Sequence, residues 1–168
     1  NLDNNTRFNR VFFGSTQIQA LVFDFDGVLT DNRVWVHSDG KESVVCSRSD
    51  GMAITFLRQL SVDLHILSSE HDPVVQMRAS KMKIECISAS DDKRKDLLKL
   101  SAEHDVDLKH TMYVGNDVND LGPVDICGFS ACPADAFVGV KEVVDLVLVT
   151  NGGCGVVREL VENHFSYE

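Results

Sequence analysis

No apolar run in this chain approaches the roughly 20 residues that span a bilayer, and its N-terminus lacks the charged-then-apolar pattern of a secretory signal. A cytoplasmic protein is expected. Paired cysteines are missing as well: Cys46, Cys86, Cys127, Cys132 and Cys154 are odd in number, scattered and without a C-x-x-C pair. Buried free thiols are expected from that pattern rather than a zinc site. Basic charge is in short supply, with 16 Lys and Arg against 26 Asp and Glu and a net charge of −10. Such a balance opposes association with nucleic acid or anionic lipid, so no nucleic-acid and no membrane partner is expected. Any anionic ligand must be drawn in by a local cluster or a metal. Internal repeats and low-complexity tracts are absent too.

What is present is a chain of 168 residues, 43% hydrophobic, enough for one domain with a substantial core and too short for a large second one. Residues 1–17 are polar and Asn-rich apart from Phe8 and Val11-Phe12-Phe13, and read as an arm or linker ahead of a domain over 18–168. The first residue is Asn1 rather than methionine, which raises the expectation of a piece of a longer chain.

Apolar runs of strand length recur at 20–25, 64–67, 84–87, 111–114, 126–129 and 146–149. Helix-length segments lie between most of them, at 50–60, 73–81, 93–103, 134–143 and 156–164. This alternation predicts an α/β fold, a Rossmann-like three-layer parallel sheet with helices on both faces. Ligands of such sheets sit at the carboxyl ends of the strands. One segment breaks the alternation: Val34-Trp35-Val36-His37, an Asp39-Gly40 turn, then Glu42 to Cys46 reads as a β-hairpin insertion.

Directly behind the first strand stands Asp24-Phe25-Asp26-Gly27-Val28-Leu29-Thr30-Asp31. Two carboxylates one residue apart at the end of a buried strand repel each other and are costly to desolvate, so a positive group should sit between them. Mg²⁺, a hard cation with oxygen ligands, is the natural candidate, and carboxylates are known nucleophiles toward phosphorus. Downstream, Ser68-Ser69-Glu70 follows the second strand, Lys93 opens a helix after Asp91-Asp92, and Gly115-Asn116-Asp117-Val118-Asn119-Asp120 follows the fourth. The six histidines (His37, His65, His71, His104, His110, His164) show no metal-ligand spacing and are read as surface or strand-end residues.

In this order the four pieces resemble the four motifs of the haloacid dehalogenase superfamily of phosphohydrolases. The resemblance implies Asp24 as nucleophile, Asp26 as general acid and base, Lys93 as the clamp on the transferring group, and Ser68, Ser69 and Lys93 as phosphate contacts. It also implies Mg²⁺ held by Asp24, Asp26, Asn116 and Asp117, with Asp120 supporting the loop. Asn116 departs from the superfamily's Asp; an amide oxygen still binds Mg²⁺ but carries no charge, so a lower metal affinity is expected. The hairpin stands where many members insert a cap domain, so a capless enzyme is expected.

Over residues 18–165 the layout is similar to the phosphatases of 3-deoxy-D-manno-octulosonate 8-phosphate and nonulosonate 9-phosphates, and to the C-terminal domain of acylneuraminate cytidylyltransferases. The carrying strings are Ser49-Asp50-Gly51-Met52-Ala53-Ile54, Ile66 to Glu70, and Asn151-Gly152-Gly153-Cys154-Gly155-Val156-Val157-Arg158-Glu159. This resemblance implies Thr30, Asp50, Glu70, Lys81 and Arg158 at the substrate, a sugar-acid phosphate, and a homotetramer in which a neighbour closes the open site. Two further readings remain. The domain could be a faded, phosphatase-like oligomerisation module fused to an upstream cytidylyltransferase of sialic acid biosynthesis, which Asn116 favours. A phosphoacceptor signalling domain would need its acceptor after the third strand, and neither Asp91 nor Asp92 has the fitting turn.

Overall fold

The computed structural model describes residues 9–168. In chain order it forms β1 (Val11–Phe13), β2 (Thr16–Ile18), β3 (Ala20–Phe23), β4 (Trp35–Val36), β5 (Glu42–Ser43), α1 (Arg48–Gln59), β6 (Asp63–Leu67), α2 (Val74–Met82) and β7 (Glu85–Ile87). There follow α3 (Lys93–His104), β8 (Thr111–Val114), α4 (Leu121–Ile126), β9 (Phe129–Cys132), α5 (Val138–Lys141), β10 (Leu146–Val147), α6 (Val156–Glu159) and β11 (Phe165–Tyr167). Short 3₁₀ turns at Leu108–His110 and Val118–Asp120 precede β8 and α4, and a π-turn over Leu160–His164 follows α6.

Six strands make one parallel sheet in the order β10-β9-β8-β3-β6-β7. The chain starts in the middle at β3, runs outward through β6 and β7, then crosses back to β8 and outward again. Strand order therefore reverses between β3 and β8, and the crevice at their carboxyl ends is where doubly wound sheets bind ligands. Alternate residues of β3 face opposite ways: Leu21 and Phe23 join the core with Ile54 and Leu57 of α1 and Val157 of α6, while Ala20 and Val22 meet Leu97 and Leu100 of α3. Helices cover both faces, as the alternation predicts.

The helices start where their sequences provide caps. Ser47 accepts from the Ser49 N–H ahead of α1, and Asp92 accepts from the Lys95 N–H ahead of α3. Lys83 and Asp105 take left-handed conformations that stop α2 and α3.

Several expectations need correction. The stretch expected as an arm carries β1 and β2, which pair with β11 in an antiparallel sheet; Val11 is buried, and Phe13 and Tyr167 stack edge-on against Phe129 and Phe56. Phe8 lies outside the described residues. β11 went unforeseen because three residues carry too little pattern and the partner lies at the far end of the chain. The strand expected at 126–129 sits at Phe129–Cys132, with Ile126 ending α4 instead. The helix expected over 134–143 shrinks to Val138–Lys141.

Asp50, expected at the substrate, is a buried cap. The N–H groups of Val157 and Arg158 donate to its Oδ1 at 2.9 and 3.1 Å, tying α1 to the start of α6. Its Oδ2 has no hydrogen-bond partner among the described residues, and burial raises the carboxyl to about 6 against the pull of those N–H groups. A carboxyl whose folded value is raised binds more protons folded than unfolded, so its contribution is full below the unfolded value near 3.8 and is lost as pH rises through about 6. Asp50→Asn keeps an acceptor without the charge. We expect the stability of this variant relative to wild type to grow between pH 4 and pH 7, by up to roughly 3 kcal/mol in urea unfolding. A difference that stays flat with pH would show that Asp50 is charged in the fold at no cost.

Candidate active site

The chain leaves β3 in a tight turn, with the N–H groups of Leu29 and Thr30 donating to the Phe25 carbonyl at 2.9 and 3.1 Å. This turn puts Asp24 at the strand tip and Asp26 one step beyond. Thr30, expected at the substrate, is fully buried and holds the turn itself: its hydroxyl donates to Asp26 Oδ1 at 3.0 Å and accepts from the N–H of Gly27 and Asn32. A second brace comes from the glycine loop 151–155. The Gly153 N–H donates to the Val28 carbonyl at 2.9 Å, and a Cβ on Gly152 would stand 2.1 Å from the Gly27 carbonyl oxygen. Those glycines let backbone approach backbone, so the loop packs on the chain's own Asp24 turn.

Across the crevice, Lys93 at the first position of α3 inserts its ammonium between two carboxylates, 2.8 Å from Asp24 Oδ1 and 2.7 Å from Asp120 Oδ1. All three side chains are buried. A lysine at a helix N-terminus opposes the helix dipole, so the carboxylates are what hold it there. Asp120 is saturated: its Oδ1 also receives the Tyr113 hydroxyl at 2.6 Å, and its Oδ2 receives the N–H groups of Asn116 and Asp117 at 2.8 and 3.2 Å. Tyr113 was not foreseen. Its signal was a phenol inside an apolar strand, which requires a buried acceptor.

The Asn116 amide reaches between Asp24 Oδ2 and the backbone carbonyl of Asp26. With its nitrogen turned toward them it donates to both, at 3.0 and 2.9 Å. With its oxygen turned there, a carboxylate, a carbonyl and an amide oxygen converge on one point, a donor set that fits a hard divalent cation. Asp26 would take part through its backbone, not its side chain. Asp117 faces the same pocket, but its carboxylate accepts from the Val118 N–H at 2.7 Å as the cap of a 3₁₀ turn. Among the described residues no cluster of three His, Cys, Asp or Glu side chains is arranged for a metal, so the mixed oxygen set at Asp24 is the candidate.

Charge in this site does not balance. Burial, then repulsion from Asp120, raises the Asp24 carboxyl to about 8, against the pull of Lys93 and the Phe25 N–H. Burial alone would lower Lys93, but Asp24 and Asp120 outweigh it and raise it. The two shifts share one cause: a single ammonium set between two buried carboxylates leaves one negative charge uncompensated, which favours the neutral form of the Asp24 carboxyl. Asp26, half-buried, is also raised, by burial first and by Glu70 in smaller part, against its Thr30 hydrogen bond.

These groups open onto a pocket of about 230 Å³ lined by Asp24, Asp26, Asn32, Ser68, Ser69, Glu70, Asn116, Asp117 and Asn119. Ser68 and Ser69 stand opposite Asp24 at the tip of β6, where Ser69 accepts from the Asn119 amide at 3.2 Å. Neither Asn32 nor Asn119 was anticipated. Glu70 Oε1 is turned back onto the N–H groups of His71 and Asp72. A second hollow of about 200 Å³ continues past Asp26, Asn32 and Glu70 to Val34, Glu42 and Val44 beside the hairpin.

Of the five expected substrate residues only Glu70 lines this pocket; besides Thr30 and Asp50, two more lie elsewhere. Lys81 lines another groove with Arg48 and Arg78, between α1 and α2, and Arg158 pairs with Glu162. A larger hollow, about 370 Å³, lies around Asp63, Leu64 and His65 at the amino end of β6, away from the carboxylates.

Comparison with known proteins agrees with this geometry. Residues 65–160 match the model of the haloacid dehalogenase-like hydrolases. The chain is 31% identical over 144 residues to the 3-deoxy-D-manno-octulosonate 8-phosphate phosphatase of Haemophilus influenzae, covering 85% of this chain and 80% of the relative. The fold superposes with a TM-score of 0.83 on the corresponding phosphatase of Moraxella catarrhalis, solved with magnesium, phosphate and the sugar acid, at 30% identity over 86% of this chain and 84% of that one. It is also 28% identical to the N-acylneuraminate cytidylyltransferase of Oncorhynchus mykiss over 87% of this chain, but spans only 35% of that protein. The chain belongs to the haloacid dehalogenase-like hydrolase family and is a phosphatase related to those that act on sugar-acid phosphates.

Proposed function

We propose that the chain is a Mg²⁺-dependent phosphomonoester hydrolase of the nonulosonate 9-phosphate or octulosonate 8-phosphate class, working through an aspartyl phosphate on Asp24. The observation that carries this reading is Asp24 itself, buried at the strand tip between the Lys93 ammonium and the Asn116 amide, with Asp26 beside it. Mg²⁺ bound by Asp24, the Asp26 carbonyl and Asn116 would offset the repulsion between a carboxylate and an incoming phosphate.

The chain's own groups supply the rest. A carboxylate oxygen of Asp24 forms a bond to phosphorus as the bond from phosphorus to the sugar oxygen breaks. The Asp26 carboxyl, raised by burial, gives its proton to that leaving oxygen. Asp26 then takes a proton from water as the water oxygen attacks phosphorus, releasing Asp24 and inorganic phosphate. Lys93 and Ser68 hold the phosphoryl oxygens, with Ser69 beside them.

The open pocket supports the expected tetramer. Trp35 and Val36 of the hairpin are 69% and 70% exposed, and Val34 and Val45 are exposed with them, an apolar surface suited to a neighbouring subunit. Lys81 reaches the sugar in this reading only if the neighbour's groove faces the pocket. The second reading, an oligomerisation module of a larger cytidylyltransferase, draws on the uncharged Asn116 and the match to the Oncorhynchus mykiss enzyme.

Three outcomes are expected. Asp24→Asn should lower turnover at least roughly a thousandfold while circular dichroism remains native, and near wild-type turnover would rule out Asp24 as nucleophile. In a screen of sugar-acid phosphates, Glu70→Ala and Lys81→Ala should each raise KM for a nine-carbon substrate yet spare a small generic phosphate ester; equal losses on both would contradict a role in sugar recognition. Light scattering at micromolar concentration should give a tetramer, and a fully active monomer would end the shared-site model.

A further inference from the structure

Resting on the proposed Mg²⁺ site, we infer that Asn116 is a two-state latch: its amide nitrogen cross-links Asp24 to the Asp26 carbonyl in the metal-free protein, and a half-turn presents its oxygen to the cation instead.

The geometry sets the two states against each other. The end of the amide that reaches the crevice lies 3.0 Å from Asp24 Oδ2 and 2.9 Å from the Asp26 carbonyl oxygen, both acceptors. An oxygen there without a cation would face the Asp26 carbonyl with no proton between them, and would gain at most the one proton that a neutral Asp24 carboxyl offers through Oδ2. A nitrogen there carries two protons, one for each. Asn116 is buried, so water cannot readily stand in for either partner, and an unmade bond would be costly. Once a cation lies among the three groups the preference inverts, because the nitrogen has no free lone pair and repels the charge, whereas the oxygen binds it.

Only an amide can serve in both states. An aspartate at this position would be a charged ligand with metal bound, but without metal it would put a third carboxylate beside Asp24 and Asp120, with the single Lys93 ammonium for all three. Asn116 therefore gives a site that keeps its shape without metal, at the expense of metal affinity, because two hydrogen bonds must break before the cation is held. The backbone of the same residue is anchored separately, its N–H on Asp120 Oδ2 at 2.8 Å, so the half-turn involves the side chain alone.

The test combines NMR of ¹⁵N-labelled wild type with calorimetry and melting of Asn116→Asp. In EDTA the Asn116 side-chain NH₂ pair should be shielded from exchange with water. Adding MgCl₂ should shift that pair and speed its exchange. Asn116→Asp should melt below wild type in EDTA, by roughly 3–6 °C, yet bind Mg²⁺ about tenfold more tightly and gain more in melting temperature from it. Asn116→Ala, which loses the cross-link without adding charge, should fall between them in EDTA and gain least from Mg²⁺. If wild type binds Mg²⁺ while its Asn116 amide exchanges freely in EDTA and ignores the metal, the latch is wrong and the metal site stands. If neither wild type nor Asn116→Asp binds Mg²⁺ at millimolar concentration, the metal reading fails and the latch with it.

Discussion

A buried ammonium shared by two carboxylates holds this structure together at its working end. Lys93 comes from the start of α3, Asp24 from the tip of β3 and Asp120 from the turn after β8, so the three charges join both halves of the doubly wound sheet across the point where strand order reverses. Removing one partner from such a cluster strands the others, a loss of about 3–5 kcal/mol in comparable buried pairs. Placement of the turn from Asn116 to Asp120 follows from it, since Asp120 also collects Tyr113 and two backbone N–H groups.

Around that cluster the chain spends its other buried polar residues on holding loops. Thr30 fastens the Asp24 turn from inside, and the glycine loop braces it from behind. Glu159 accepts from the N–H groups of Val149 and Thr150 and pairs with His164, fixing the approach to the glycine loop. Asp50 fixes where α6 departs. Each belongs to an electrostatic scaffold that places Asp24 without lining the pocket. Phosphoryl transfer asks a protein mainly for position and charge, and position here is set by these second contacts.

Sequence and structure agree where chemistry and burial impose the same pattern. β3, β6 and β8 are short apolar runs on fully covered strands, and the residues at their carboxyl ends, Asp24, Ser68 and Asn116, meet because parallel strands bring those ends together. The pattern cannot say which way a polar side chain turns. Thr30 and Asp50 stand in strings that resemble substrate-binding motifs, yet both face their own backbone. Lys81 and Glu70 lie close in sequence, but α2 carries Lys81 into a separate groove. The β1-β2-β11 sheet joins opposite ends of the chain through strands of three residues each, too short for periodicity to register.

Charge explains why such a site should call for a cation at all. The protein carries a net −10, and its pocket presents Asp24, Asp26, Glu70 and Asp117 to any ligand. Lys93 is the ammonium beside Asp24, and its charge is already divided between Asp24 and Asp120. A phosphate monoester approaching Asp24 would add its own negative charge to a cluster that already holds one in excess. A dication held by the Asp24, Asp26 and Asn116 oxygens would supply the missing positive charge and favour the ionised form of Asp24. In the proposed reaction metal binding and ionisation of Asp24 would therefore be linked, with Asn116 the one uncharged side chain among the oxygens offered to the cation.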